Sequence, residues 1–499
     1  GVLRLAKTSV GDHWIVGTES PVWQEYSLAR TPLEKSPEPE LGTDLIPKER
    51  YTSPEFMELE FERLWSRAWL MAGPIADLED VGDFFTFEIG RESIIVVRSG
   101  PDTIEAFHNA CQHRGYRICE SERGHGKAFV CPYHLWAYDL HGALRGVPDR
   151  EDYPQGIPED ARLQPVRCET WGSWVFVNMD LTAEPLAAYL GVVADHLESY
   201  HFERNYALTE DITFEWGCNW KVGVDAFNEV YHVQGIHPEL LEISDDVDCP
   251  IDLYGRHSRF LFKVGLQSPR WTDSKAKAAG YRDRNSVTKE MANVLEAFGL
   301  AAADFEGRVD QIRPALMRAL RATGEKANLD FDDLHDEQLW MDVHYSIFPN
   351  LTFNISPGHF WLFRARPHPT DPDRMYWDYY NYDRIPRGAE PPPRPVHRHA
   401  VWGDGQEKEL HLALRQDGEA AAPADADTAL ANDVPIELPA VAARGRPGPP
   451  SEVRAPFAPA RSDAPAPLDI DTTELDAMLG ALSPNEARQR SLVALLGAW

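Results

Sequence analysis

Apolar residues change their spacing several times along these 499 residues, and each change marks a unit. In YTSPEFMELEFERLWSRAW, Phe56, Leu59, Phe61 and Leu64 follow a Ser-Pro start at helical spacing, which predicts a capped helix. Six segments come next: FFTFEI, SIIVVRSG, TIEAFHN, AFVCPYH, WAYDLHGAL and GSWVFVNMD. They are short, β-branched or aromatic, and separated by Gly, Pro and Asp turns, the pattern of a small antiparallel β domain over residues 70–180. From about residue 205 the pattern is mixed. ITFEWGCNW, SRFLFKVGL, YSIFPNLTFNIS, HFWLFRARP and RMYWDYYNYDR predict strands, whereas VGVDAFNEVYHVQG, the stretch 274–320 and EKELHLALRQDGEAAA predict helices. Residues 181–418 therefore form an α+β domain. Residues 1–69 are an N-terminal extension ending in the first helix, and the Ala- and Pro-rich segment 419–499 predicts a partly disordered connection before a terminal helix near SPNEARQRSLVALL.

Composition narrows the class. With 43% hydrophobic residues the chain can bury real cores, and its length allows two or three domains. No window approaches eighteen consecutive apolar residues, and GVLRLAKTSVGDHWIVG is broken by Lys7, Asp12 and His13. A soluble, cytoplasmic protein that does not span a membrane is expected. A net charge of -31 repels phosphate backbones and anionic lipid, which argues against nucleic-acid and membrane partners. Six cysteines are too few for a disulfide framework and leave metal ligation or plain burial.

Two of them lie in CQHRGYRICESERGHGKAFVCPYH, where a Cys-x-His pair and a Cys-x-x-His pair are seventeen residues apart. Cys111, His113, Cys131 and His134 can form a structural zinc site or a [2Fe–2S] centre with two Cys on one iron and two His on the other. Zinc fingers usually run Cys, Cys, His, His. Here each pair offers one thiolate and one imidazole, so two matching loops can each give one ligand to each iron, which favours the cluster.

A second constellation lies in NWKVGVDAFNEVYHVQGIHPEL, residues 219–240, read as one helix. At 100° per residue Asp225, Glu229 and His232 share a face, and Gly235 and Pro238 would loosen the end so that His237 swings back. Two His and a carboxylate are the ligand set of non-haem Fe(II) oxygenases, which keeps positions open for O2. A pair of His near a helix end is also compatible with ordinary packing.

Over residues 50–418 the chain resembles the large (alpha) subunits of Rieske non-haem iron aromatic-ring-hydroxylating oxygenases. The resemblance rests on CQHRG with CPYHLWAYDLHG, on RCETWGSWVFVNMD, on the order NWK, NEVYH, GIH, and on EKELHLALRQD. It implies an antiparallel-β Rieske [2Fe–2S] domain joined to a helix-grip catalytic domain, an antiparallel sheet with covering helices. It also implies mononuclear Fe(II) held by His232, His237 and a later carboxylate. ALRQD selects Asp417 as that carboxylate, and LANDV offers Asp433 as a rival. Glu229 matches the acidic residue that links the His134 side of one subunit to His232 of the next, with Asp225 in reserve. The family usually has Gly after the second cluster His, but Leu135 stands there, so a loop that favours φ > 0 must accept a side chain.

The implied function is a terminal oxygenase on a homotrimer, receiving NAD(P)H electrons through a separate reductase, with or without a ferredoxin. No GxGxxG in a strand-to-helix context and no second Cys-rich set place that reductase on another chain. The expected reaction is dihydroxylation or monohydroxylation of an apolar, aromatic substrate. Oxidative O- or N-demethylation is the alternative, and a Rieske electron carrier without oxygen chemistry is the rival from another class. Phe227, Val233 and residues of YSIFPNLTFNI are candidate pocket residues.

Overall fold

The computed structural model describes residues 46–421, together with three short strands at Arg4–Lys7, His13–Gly17 and Glu25–Ser27. Asp433 and the expected terminal helix lie outside the described residues.

The entry helix forms as its start signal implies but is interrupted. Ser53 Oγ accepts from the Phe56 N–H at 3.1 Å and caps Pro54–Glu60, and the last turn, Phe61–Trp65, widens to i→i+5 bonding. Trp65 is buried at its end and leads into the first sheet.

That sheet has seven strands in the order Leu70–Pro74, Trp174–Asn178, Pro165–Trp171, Thr103–His108, Glu92–Gly100, Asp83–Ile89 and Arg123–His125, all antiparallel. A second sheet of three short strands, Leu144–Gly146, Ala137–Tyr138 and Phe129–Val130, carries one of the two Cys/His loops. The expected strands AFVCPYH and WAYDLHGAL shrink to two-residue pieces, because their remaining residues turn to present side chains instead of pairing.

The large sheet follows in the order Ser244–Asp245, His257–Val264, Met341–Ile347, Leu351–Ile355, His359–Pro367, Met375–Arg384, Tyr206–Trp216 and Arg398–Val401, with Asp252–Tyr254 pairing His257–Val264. Its ladders are antiparallel except the last, where Arg398–Val401 runs parallel to Tyr206–Trp216. The helices Lys289–Ala297 and Ile312–Lys326 supply Met291, Leu295, Ile312 and Leu316 to the same apolar core as the sheet residues Val343, Tyr345 and Phe360.

The two sheets are fastened to each other. Trp174 of the first is fully buried among Phe202, Phe353 and Phe360, and its Nε1–H donates to Tyr382 Oη at 2.9 Å. Arg364 of the second donates to the carbonyls of Met71 and Ala72 at 2.9 and 2.7 Å. Burial alone would raise the Asp378 carboxyl, yet the Arg364 and Arg366 guanidiniums hold it well below its ordinary value. Among the described residues no helix is long and apolar enough to cross a membrane.

Candidate functional site

The two Cys/His loops are built alike. The N–H of Gly115 donates to the Cys111 carbonyl at 2.8 Å and that of Leu135 to the Cys131 carbonyl at 2.9 Å; the N–H groups of Cys111 and Cys131 donate to the carbonyls of Tyr116 and Trp136, each at 2.9 Å. The fourth residue after each cysteine closes its loop in the left-handed region, Gly115 at φ 69° and Leu135 at φ 59°. Leu135 thus occupies the place that Gly115 fills in the other loop. A left-handed conformation costs an L-residue about 1–2 kcal/mol, part of which Gly gives back through its looser unfolded chain. Leu135→Gly is therefore expected to stabilise the fold by about 0.5–1 kcal/mol, read as a higher melting temperature.

The four side chains separate by chemistry. Cys111 and Cys131 are buried next to each other, and desolvation raises the Cys111 thiol. The rings of His113 and His134 meet at 4.7 Å, and His113 also stacks on Trp136 at 4.9 Å. His113 Nδ1 is buried without a hydrogen-bond partner, as a nitrogen kept for a metal must be. Among the described residues only His232, His237 and Asp417 bring three such ligand atoms within 4.8 Å of one another, so the Cys/His set does not converge on one point as tetrahedral zinc requires. Thiols on one side and imidazoles on the other fit a two-iron cluster.

Tyr138 was not singled out by the sequence pattern. Its Oη lies 3.3 Å from Cys111 Sγ and accepts from the Gln112 N–H at 3.0 Å, which leaves its own proton for the sulfur. A donor to a cluster thiolate stabilises the reduced, more negative state. Tyr138→Phe is expected to keep the cluster and lower its reduction potential by roughly 60 mV, the one-electron equivalent of one hydrogen bond, in an EPR-monitored redox titration.

The second constellation departs from the expected single helix. Trp220–Ala226 is helical, residues 227–232 are a turn, and Val233–Ile236 and Pro238–Glu242 resume as short turns of helix. The face shared by Asp225, Glu229 and His232 therefore does not exist. Asp225 faces the N-terminal segment, where Tyr51 Oη donates to its Oδ2 at 2.7 Å, and takes no part in the hydrogen bonds around His232. Glu229 does: its Oε1 is 2.6 Å from His232 Nδ1, and its Oε2 accepts from the N–H groups of Tyr231 and His232.

His237 follows the short helix Val233–Ile236 and lies with its ring 5.2 Å from that of His232. His237 is 2% exposed, with Nδ1 2.8 Å from Gln416 Oε1 and Nε2 2.6 Å from Asp417 Oδ1. His232 Nε2 lies 3.5 Å from the same Asp417 oxygen. Each imidazole thus has its Nδ1 held by an oxygen and its Nε2 turned to the shared carboxylate, the tautomer that metal ligation needs. Asp417 comes from the helix Leu412–Ala421. Gln416 stood in the quoted ALRQD motif, but its contact with His237 follows only from the fold.

The three groups open on a cavity of about 140 Å³. Phe227, Val230, Val233, Leu240, Phe260 and Phe262 give it apolar walls; of the strand pair YSIFPNLTFNI only Asn354 reaches it, Tyr345 and Phe353 being core residues and Phe348 exposed. Burial pulls His359 and His411, both in the wall, down to about 4, so they are neutral at physiological pH.

Residues 68–161 match the Rieske [2Fe–2S] domain, and residues 202–422 the ring-hydroxylating alpha subunit catalytic domain. The glycine betaine monooxygenase oxygenase subunit of Pseudomonas aeruginosa is 31% identical over 210 residues, 41% of this chain and 48% of that protein. The benzene 1,2-dioxygenase alpha subunit of Pseudomonas putida is 36% identical over 211 residues, 39% and 46% of the two chains. The chain spans about half the length of the curated relatives it matches. Naphthalene 1,2-dioxygenase from Rhodococcus sp. bound to indole aligns at 21% identity with a TM-score of 0.49, covering 69% of this chain and 74% of that one. The paired loops, the histidine–aspartate triad and the two matched segments make the chain a member of the Rieske non-haem iron oxygenases, with a Rieske [2Fe–2S] domain ahead of the catalytic domain of a ring-hydroxylating alpha subunit.

Proposed function

We propose that the chain is a terminal oxygenase that hydroxylates a ring-sized substrate with an apolar body, using O2 and electrons from a separate NAD(P)H reductase. The observation that carries this reading is the triad of His232, His237 and Asp417 opening on an apolar-walled cavity near the size of one that takes benzene. Cys111, His113, Cys131 and His134 are the residues that would hold the cluster, and the triad would hold the mononuclear iron. When bound, the two centres supply electron storage and activation of O2 at open coordination positions.

The chain's own groups prepare that chemistry. Glu229 and Gln416 take the Nδ1 protons of His232 and His237, so both Nε2 lone pairs face Asp417. Phe227, Val233 and Phe260 exclude water from the space beside the triad and seat an apolar body there.

The second role of Glu229 is a link to another copy. Tyr116, Val130, Tyr133 and Leu135 are exposed around the Cys/His loops, and Tyr231, beside Glu229, is 75% exposed. Apolar side chains left in solvent at both ends support a head-to-tail contact in which His134 of one copy meets Glu229 of the next, closing as a ring of three. Product analysis of the purified chain with a broad-specificity reductase, NADH and a panel of aromatic, phenolic and methylated substrates tests the reading. Incorporation of labelled O2 into product is expected; reduction of the protein without any oxygenated product would refute it.

A further inference from the structure

The sheet wall of the cavity carries polar atoms that hydroxylation of a hydrocarbon leaves unused. Asp342 and His344 are two apart on Met341–Ile347 and share a face, and Asn354 stands opposite His344 on the next strand. All three line the cavity. Asp342 Oδ1 is buried without a hydrogen-bond partner, whereas His344 and Asn354 face each other across the strand pair and hydrogen-bond to one another. The neighbouring strand is aromatic: Phe262 is the register partner of Asp342, and Phe260, the partner of His344, stacks on its ring at 4.2 Å.

A buried carboxyl either takes a counter-charge or gives up its own charge, and among the described residues lining this cavity none is Lys or Arg. His344 cannot supply one, since burial pulls it down to about 3. Desolvation pushes Asp342 up to about 7, with only the Ile355 peptide group opposing it, so the group is poised between its two forms and a cation seated beside it holds it ionised. The carboxylate accepts hydrogen bonds, so the complement is a donor; charge balance makes it a positive one. Aromatic faces beside it favour the same sign.

Resting on the reading of this cavity as the oxygenase's substrate site, we propose that the substrate is an organic cation of about one-ring size, its protonated amine seated against Asp342 and its apolar body turned to the triad. Calorimetry on the full chain without O2 or reductant tests this with three probes of one shape: 2-phenylethylammonium, 2-phenylethanol and propylbenzene. The ammonium is expected to bind one site per chain at least tenfold tighter than the other two, and Asp342→Asn should bind all three alike. Equal binding of the alcohol or the hydrocarbon, no binding of the ammonium, or a preference that survives in Asp342→Asn and so belongs to Asp417 or Glu229 would overturn it. If Asp342→Asn does not fold, the probe order in the unaltered chain still decides. Iron content of the same sample separates the two readings: cation preference without iron binding keeps the cation site at Asp342 and removes the oxygenase reading, whereas iron without cation preference does the reverse.

Discussion

His237→Ala is expected to remove the mononuclear iron and lower product formation by more than about a hundredfold, while the visible and EPR spectrum of the [2Fe–2S] centre stays that of the unaltered protein. Loss of a group that merely orients a metal ligand typically costs 10–100-fold, and His237 offers a ligand atom itself, 2.6 Å from Asp417 Oδ1. It is 2% exposed and held on its far side by Gln416. The cluster residues lie on loops outside the large sheet, Cys111–Gly115 after the strand Thr103–His108 and Cys131–Leu135 in the three-stranded sheet, and do not depend on this ring. Iron analysis beside product analysis checks the effect. Undiminished turnover would remove the triad from the active site.

Glu229→Gln should behave differently, keeping both metal centres and losing coupled turnover by about 10–100-fold. The carboxylate engages His232 Nδ1 with one oxygen and the N–H groups of Tyr231 and His232 with the other. An amide of the same shape has one oxygen where two are needed, and its NH2 must face a donor. The His232 ring then loses either its charge-assisted bond or its support from the turn. Under the proposed contact with a second copy, the same change also removes the acceptor for that copy's His134. Glu229→Asp, one methylene shorter, should fall between. Rapid-mixing oxidation of the pre-reduced protein reads the step, and a rate in Glu229→Gln equal to that of the unaltered chain would place the link elsewhere.

How far these residues could be read before the fold was known depends on what kind of spacing carries them. Cys111, His113, Cys131 and His134 are legible because each pair is local: a loop of three or four residues fixes its own geometry. The strands around them were legible as short β-branched or aromatic runs between turns, except where residues such as those of AFVCPYH leave the ladder to aim side chains. His232 and His237 were legible as a pair, but the single helix assumed for residues 219–240 was wrong, because a turn at 227–232 lets Glu229 cap the N–H groups of Tyr231 and His232. That turn sends Asp225 to Tyr51. Asp417 was reached through the resemblance, since 180 residues separate it from the histidine it meets. Tyr138 and Asp342 had no signal at all: a tyrosine and an aspartate in strands are ordinary until the partner across the fold, a cluster thiolate or an empty acceptor site, is known.

The most direct test is the metal inventory of the purified, anaerobically reconstituted chain: iron, zinc and acid-labile sulfide per chain, read with the EPR spectrum of the reduced protein. Three irons and two sulfides are predicted, with the Rieske signal from two of the irons and the third lost selectively in His237→Ala. Two irons and two sulfides with no third metal would describe an electron carrier without oxygen chemistry, and stoichiometric zinc without sulfide would contradict both centres.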